Sequence, residues 1–363
     1  MKKSVSLIIM FSMLSISLAG CKVSNLQVQQ TTGAQAPETQ DTAASSVESD
    51  EPELTFKMAF NNSAEPVLTA NNMVADEIER LSNGRIKVER YLEGQLYDKD
   101  EDGSVAISEG TVQMILMGDM MASNAAPEIV GYTTIPFAFK NKEHCKLFWS
   151  GTYGEQINEK LTEKYGVIAF FDTLQLRGGR MLSANQPIKT PDDLKGLKLR
   201  LPNVPPMIAA WETLGVSVTP VALGDLFGAL QSGVVNGQEN PIEIFYGNKY
   251  YEVQKYLMLT DHNYSYRAYH VNKKWWDSLT LEQQDIIRQA MAIGSDYYNT
   301  TVAEMDEDWI AQIKEAGTTV IPKNEIDIEA FKKVSIEPTL DKFKDEWQPG
   351  VWEDIVEMGK DID

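Results

Sequence analysis

The segment from residue 54 to residue 91 limits the possible folds most strongly. Its first part alternates apolar and polar residues, which predicts a strand whose apolar positions are Leu54, Phe56, Met58 and Phe60. A helix is predicted between Pro66 and Gly84, because apolar residues recur there every three or four positions. Ile86 and Val88 begin a second strand. Two strands joined by one helix predict a right-handed βαβ unit, and therefore an α/β fold with a largely parallel sheet.

The same kinds of pattern continue through the rest of the chain. Helices are predicted over 105–110, 144–164, 206–214, 223–232 and 279–305, and strands over 112–117, 167–171, 197–201 and 216–220. The folded part contains roughly 310 residues, which is enough for two domains. The last of these helices is long, acidic and rich in aromatic residues, which we expect to pack the helix onto a sheet rather than to bind a ligand.

The first 53 residues have a different character. Lys2 and Lys3 precede a short apolar run, which ends in small residues before Cys21. This pattern predicts a secretory leader over 1–20 with a lipoprotein cleavage site, and lipidation of Cys21 would anchor the chain to a membrane surface. The alternative, a transmembrane anchor, requires a longer apolar stretch. Residues 21–53 are polar and are expected to form a flexible tether.

Charge and composition exclude several classes of function. The chain has 33 Lys and Arg residues, 53 Asp and Glu residues and a formal net charge of −20, which disfavours binding to nucleic acid. Of its two cysteines, Cys145 would remain alone after lipidation of the other, so no disulfide framework is expected. We find no nucleophile elbow, zinc-protease motif, phosphate loop or dinucleotide fingerprint, and the three histidines have no zinc-site spacing. The sequence therefore predicts neither catalysis nor a metal or other cofactor.

Arg200 is the most informative candidate for a binding residue. It lies in an apolar, strand-like run with Leu199 and Leu201, where a guanidinium is normally excluded unless an anion accompanies it. A planar guanidinium can donate two parallel hydrogen bonds to a carboxylate, which a lysine cannot do. The anion is either the carboxylate of a bound ligand or an internal acid such as Asp192 or Asp193, and spacing alone does not decide between them.

Arg180 and Asn240 are two further candidates. Arg180 follows a pair of glycines that permits close approach of the backbone, although Arg177 could serve the same role. Asn240 precedes Pro241, which restrains it to an extended or turn conformation, and its amide can both donate and accept. A turn residue is the simpler interpretation of Asn240 taken alone.

The motifs that contain these residues resemble those of a known family. They are GGRML over 178–182, PDDLKGLKLRLPN over 191–203 and GQENP over 237–241. Together they are similar to the DctP-like solute-binding proteins of tripartite ATP-independent periplasmic (TRAP) transporters, over about residues 54–340. The resemblance implies a two-domain periplasmic-binding-protein-like fold, with a ligand cleft, hinge strands and a long helix that spans both domains. It places domain I over 54–177 plus 266–305 and domain II over 178–265 plus 306–363.

The resemblance also implies a function and a set of contacts. An extracytoplasmic protein would capture a small organic acid by hinge closure and deliver it to the membrane subunits of a TRAP permease, as a monomer. The residues implied to contact the ligand are Arg200, Arg180, Asn240, Asn203, Leu223, Asn61 and Asp119. Asn61 and Asp119 follow predicted strands of the first domain, where each could instead cap a loop.

Leu223 bears on the identity of the ligand. Relatives that bind sialic acid have an aromatic residue at this position, so a smaller organic acid or a sugar acid such as a hexuronate is expected. Two other functions remain open at this stage. The protein could be a sensor lipoprotein that reports its ligand to a membrane receptor, or a lipid-anchored enzyme that acts on organic acids.

Overall fold

The computed structural model describes residues 52–62 and 64–362. Its strands are β1 (Leu54–Ala59), β2 (Ile86–Tyr91), β3 (Met114–Met117), β4 (Val167–Ala169), β5 (Gln175–Leu176), β6 (Arg180–Ala184), β7 (Lys198–Leu201), β8 (Ser217–Pro220), β9 (Gly237–Pro241), β10 (Tyr256–Met258), β11 (Tyr266–Asn272) and β12 (Thr319–Ile321). Its helices are α1 (Val67–Leu81), α2 (Asp100–Glu109), α3 (Met120–Ala125), α4 (Pro127–Val130), α5 (Lys142–Ser150), α6 (Thr152–Tyr165), α7 (Pro205–Thr213), α8 (Leu226–Gln231), α9 (Ile242–Gly247), α10 (Lys273–Asp277), α11 (Leu281–Glu315), α12 (Ile328–Phe343) and α13 (Val351–Met358).

The strands form two mixed sheets. The first has the order β2-β1-β3-β11-β4, and β5 also pairs with β11. The second has the order β12-β10-β6-β9-β7-β8. In the first sheet β1 lies parallel to β2, with Leu54 opposite Ile86, and α1 crosses between them. The predicted βαβ unit and the α/β class are therefore confirmed.

Three apolar clusters hold these layers together. One lies between the first sheet, α1 and the long helix α11, and it continues to α9 of the second sheet. A second covers the other face of the first sheet beneath α3, α5 and α6. A third joins the second sheet to α7 and α12. Helix α11 packs against both α1 and β12, so it reaches both sheets, as the resemblance implied.

Two chain segments that cross between the sheets run side by side. Residues 177–179 connect β5 to β6, and residues 259–265 connect β10 to β11. The backbone N–H of Arg177 donates to the carbonyl of Ser265 at 3.0 Å, and that of Arg180 donates to the carbonyl of Asn263 at 2.8 Å. These crossovers correspond to the expected hinge strands, and they lead directly to Arg180 at the start of β6.

One predicted helix is divided in two. The helix expected over 144–164 is interrupted at Gly151, which has an extended backbone and separates α5 from α6. At Gly154 a Cβ atom would lie only 1.7 Å from the carbonyl oxygen of Trp149, so the tight connection requires glycine there. The apolar periodicity continues through the break, which explains why the sequence pattern did not reveal it.

The C-terminal segment packs on both parts of the protein. Helix α12 contacts α7 beside the second sheet, whereas Trp347, Val351 and Ile355 lie in the cluster beneath the first sheet. The resemblance grouped all of 306–363 with the second domain, and the domain boundaries remain a prediction. The leader, the tether and Cys21 lie outside the described residues. Within 52–62 and 64–362, no helix is both long enough and apolar enough to span a membrane.

Candidate functional site

Arg200 is placed by a strand that is buried on both faces. Leu199 and Leu201 enter the apolar cluster of the second sheet, and the intervening side chain points to the opposite face. β7 runs parallel to both neighbours, with Arg200 opposite Thr219 of β8 and Gln238 of β9. Leu201 and Pro202 end the strand, which places Arg200 near the carboxyl edge of three parallel strands. Ligands of open α/β sheets bind at such edges.

The guanidinium of Arg200 is buried and has no counterion within the part of the chain that the structure describes. The residue is 3% exposed, and its Nε donates to the carbonyl of Val221 at 2.8 Å. No carboxylate of the described residues lies within 4.0 Å of it. Burial lowers the pKa of Arg200 to about 10, against the opposing effect of Glu239. The group therefore remains a cation at neutral pH, with two terminal nitrogens available to an anion.

The two internal acids that could have paired with Arg200 are used elsewhere. Asp192 forms an ion pair with Lys195 at 2.8 Å. Asp193 accepts hydrogen bonds from the backbone N–H groups of Lys189 and Thr190, which hold its pKa below the usual range. Neither Asp192 nor Asp193 is therefore the internal partner of Arg200.

Arg180, in contrast, already has a carboxylate partner. It lies on β6, and its guanidinium contacts both carboxylate oxygens of Glu239 and donates to the backbone carbonyl of Glu239 at 3.0 Å. Glu239 is fully buried, and Arg180 together with His262 overcomes desolvation to lower its pKa to about 2. His262 lies 3.3 Å from the same carboxylate through its Nε2. The charge of Arg180 is thus largely balanced within the protein.

Asn240 lies beside this ion pair. Its Oδ1 accepts a hydrogen bond from Arg180 at 3.3 Å, and its Nδ2 donates to Gln238 at 2.7 Å. Gln238 in turn donates to Ser183 on β6. The antiparallel register of β6 and β9, with Met181 opposite Asn240, brings these side chains together. Asn240 is therefore part of a fixed hydrogen-bond chain rather than an isolated turn residue.

A second ion cluster is centred on Glu243 at the start of α9. Its carboxylate accepts from Arg177 at 3.0 Å, from Arg267 at 3.2 Å and from the hydroxyl of Tyr298. These cations overcome desolvation and lower the pKa of Glu243 to about 2. Arg177, the sequence alternative to Arg180, is therefore occupied here. The cluster joins Arg177 of the first crossover segment and Arg267 of β11 to Tyr298 of α11.

The remaining predicted site residues are placed as follows. Asn203 is exposed in the bend that follows β7. Leu223 is 37% exposed, and its carbonyl accepts from the hydroxyl of Tyr250 at 3.5 Å. On the first sheet, Asn61 donates to Asp100 at 2.8 Å. Asp119 follows β3 and interacts electrostatically with Arg180. Arg180 and Asn240 are joined by a hydrogen bond, whereas within 52–62 and 64–362 the other predicted residues form no hydrogen bond or ion pair with either.

The sequence reasoning missed Glu239, Glu243 and Arg267. All three are buried charges, and Glu239 stands immediately before Asn240 in GQENP. An acid within an otherwise buried strand was a usable signal for Glu239, since such a group requires a cation. Its partner lies 59 residues away in sequence, and that pairing becomes visible only once the strands are in register.

Comparison with known proteins gives a consistent result. The family described as DctP, bacterial extracellular solute-binding protein, family 7, matches residues 58–346. A solute-binding protein of Roseobacter denitrificans is 34% identical over 76% of this chain and 82% of its own length. The C4-dicarboxylate-binding periplasmic protein DctP of Rhodobacter capsulatus is 34% identical over 66% of this chain and 71% of its own length.

Solved structures agree with the sequence matches. A TRAP periplasmic solute-binding protein of Roseobacter denitrificans with bound L-galactonate has a TM-score of 0.74 and 29% identity, and the match covers 85% of this chain and 99% of that one. One from Fusobacterium nucleatum with bound sn-glycerol-3-phosphate has a TM-score of 0.74 and 30% identity, over 84% of this chain and 96% of that one. The chain therefore belongs to the DctP family, family 7 of the bacterial extracellular solute-binding proteins.

Proposed function

We propose that this solute-binding protein captures a small carboxylate-bearing solute, an organic acid or a sugar acid such as a hexuronate, and that Arg200 holds its carboxylate. The main observation in support of this proposal is that the guanidinium of Arg200 is buried and has no counterion among the described residues. A buried cation without a partner is costly, and an arriving carboxylate removes that cost. Its two free terminal nitrogens suit the two parallel hydrogen bonds of a carboxylate.

Arg180 and Asn240 complete the polar surroundings of the solute in this proposal. Arg180 is held by Glu239, so it contributes directed N–H donors more than net charge. Asn240 is fixed by Arg180 and Gln238, and it would bond to a second oxygen of the solute. Contacts from Asn203, Leu223 and Asn61 remain predictions that the resemblance implies.

The relatives support an anionic solute. L-galactonate, C4-dicarboxylates and sn-glycerol-3-phosphate, the compounds named for the three similar proteins, all carry a negatively charged group. We further propose that the two domains close around the solute by bending at the crossover segments, and that the closed form delivers it to the membrane subunits of a TRAP permease. In this proposal the protein is a monomer that performs no catalysis, and Cys21 carries the lipid that anchors it.

Isothermal titration calorimetry with a panel of organic and sugar acids tests the role of Arg200. Arg200→Ala should weaken binding by roughly 2–5 kcal/mol, or about 30-fold to several thousandfold, because the solute carboxylate would be left buried and unpaired. Arg200→Lys should also bind more weakly, since a lysine retains the charge but not the planar pair of donors.

The matched control is Arg85→Ala, which removes an arginine side chain that is 41% exposed. It should bind as the wild type does. Near-normal affinity of Arg200→Ala for the acid that the wild type binds would overturn the proposal.

A further inference from the structure

Asn240 is the first member of a hydrogen-bond chain that crosses the second sheet and consists of Asn240, Gln238, Ser183 and Gln254. Gln238 and Asn240 are two residues apart on β9, so their side chains lie on the same face of the sheet. Ser183 of β6 lies directly opposite Gln238, and Gln254 lies in the segment before β10. Each of the four residues is at most 4% exposed, so their polar atoms must find partners within the protein or on a ligand.

Each member of the hydrogen-bond chain donates to the next. Asn240 Nδ2 donates to Gln238 Oε1 at 2.7 Å, and Gln238 Nε2 donates to Ser183 Oγ at 2.7 Å. The hydroxyl of Ser183 donates to Gln254 Oε1 at 3.1 Å. Gln254 Nε2 in turn donates to the backbone carbonyl of Val253 at 3.2 Å. The chain therefore ends on a backbone group that can only accept.

The other end of the chain is fixed by an arginine. A guanidinium contains only donors, so the Asn240 atom that lies 3.3 Å from Arg180 Nη2 must be the acceptor Oδ1. Asn240 then turns Nδ2 toward Gln238, and the same reasoning orients Gln238 toward Ser183. A chain between a group that only donates and a group that only accepts has a single direction. The orientation of each amide therefore follows from the chemistry of its partners, although the two ends of an amide have nearly the same shape.

This single direction determines what Asn240 can offer to a solute. Its Oδ1 accepts from Arg180, and one of the two protons on its Nδ2 is given to Gln238. Within the part of the chain that the structure describes, Nδ2 has no second acceptor. Gln238 also lies in register with Arg200 on the neighbouring strand β7. The remaining N–H of Asn240 and the guanidinium of Arg200 both suit an anionic oxygen.

We propose that Ser183 and Gln238 are positioning residues of the solute site, which act through Asn240 rather than on the solute. They hold the amide of Asn240 so that Oδ1 faces Arg180 and the second proton of Nδ2 is left for an oxygen of the solute. Without the hydroxyl of Ser183, Gln238 loses the acceptor that fixes its own amide. A rotated Gln238 would turn its N–H groups toward those of Asn240, and Asn240 would no longer keep one orientation. This inference rests on the proposed function, because it assumes that Asn240 contacts the solute.

The orientation of Asn240 can be tested without a solute. In proton–nitrogen correlation spectra of the ligand-free protein, the side-chain amide signal of Asn240 is the one that Asn240→Ala removes. Ser183→Ala should shift this signal and speed the exchange of its protons with water, because the chain no longer holds the amide. The matched control is Ser295→Ala, which removes a serine that is 2% exposed and donates to the carbonyl of Thr173 at 2.9 Å. It lies outside the chain and should leave the signal of Asn240 unchanged.

A double-mutant cycle on solute binding tests the positioning role itself. The probes are a panel of organic and sugar acids that includes L-galactonate, D-glucuronate and succinate, and calorimetry gives the affinities. Asn240→Ala should weaken binding by about 10- to 100-fold, as expected for one hydrogen bond to a charged group. Ser183→Ala should weaken it by roughly 3- to 10-fold, because Asn240 then spends only part of its time in the binding orientation. When Asn240 is already alanine, Ser183→Ala should weaken binding no further, since the amide that it orients is absent.

Two results would overturn the inference while leaving the role of Arg200 intact. One is an Asn240 signal that Ser183→Ala does not change, and the other is a pair of alanine effects on binding that simply multiply. If Ser183→Ala does not fold, Ser183→Cys replaces it in both tests with the same expectations, because a thiol is similar in size but bonds only weakly. If the wild type binds no acid of the panel, the proposed function fails and this inference fails with it.

Discussion

Replacing Glu243 by glutamine measures how much one buried carboxylate contributes to the stability of the folded protein, where it joins the first crossover segment, β11 and α11. Glu243 is 3% exposed and accepts hydrogen bonds from Arg177, Arg267 and Tyr298. The substitution would keep the shape of the side chain but leave two buried guanidinium groups without a counterion. Breaking a buried ion pair by removing one partner costs about 3–5 kcal/mol.

The pKa of Glu243 gives a similar magnitude. The difference between the ordinary value of 4.5 and the value of about 2 in the folded protein corresponds to roughly 3 kcal/mol of stability. For a folded part of about 300 residues, a loss of that size lowers the melting temperature by about 5 °C. Because the folded pKa lies below the unfolded one, this stability is present above pH 4.5 and is lost as the pH falls toward 2.

Thermal unfolding of the ligand-free protein at pH 7.5 is the appropriate assay. Glu252→Gln is the matched control, because it makes the same chemical change at an exposed position nearby in the chain. We expect a loss of about 5 °C for Glu243→Gln and almost none for the control. A melting temperature of Glu243→Gln within about 1 °C of the wild type would refute the argument that this carboxylate balances two buried cations.

Two further substitutions test other parts of the structure by thermal unfolding. No described residue forms a hydrogen bond with the buried Oδ1 of Asp306, and burial raises the pKa of its carboxyl to about 6. Asp306→Asn should therefore stabilise the protein by about 1–2 kcal/mol above pH 6. That gain should disappear as the pH falls from 6 toward 3.8, and a gain that persists at pH 4 would contradict this explanation. Gly294→Ala should destabilise by about 1–3 kcal/mol, because its Cβ would lie 2.3 Å from Val74 Cγ2 and 2.9 Å from the carbonyl oxygen of Ala70. Gly228→Ala, which meets no atom within 4 Å, is the control, and an equal effect of the two alanines would disprove the role of close packing between α1 and α11.

Local patterns in the sequence were sufficient to predict many of the helices and strands. The alternation at 54–60 and the apolar stripe of α1 depend only on neighbouring residues, and both elements appear where they were predicted. The long helix was also predicted, although α11 continues ten residues past 305 to Glu315. Its last part is polar on most sides, so apolar periodicity alone did not reveal its end.

The candidate site was predictable only in part, for a physical reason. Arg200 was identified because its own neighbours are apolar, which is a local signal. The pairing of Arg180 with Glu239 depends on the register of β6 and β9, and the network of Glu243 depends on α9, β11 and α11 meeting at one point. Such contacts join residues that are distant in sequence, so no local pattern specifies them.

A crystal structure of the protein with the acid that it binds most tightly tests the central claim most directly. We predict two terminal nitrogens of Arg200 at about 2.7–2.9 Å from the two oxygens of the solute carboxylate, with Arg180 still paired to Glu239. A solute whose carboxylate lies on another cation, with Arg200 bonded only to Val221 and water, would contradict the proposed role of Arg200.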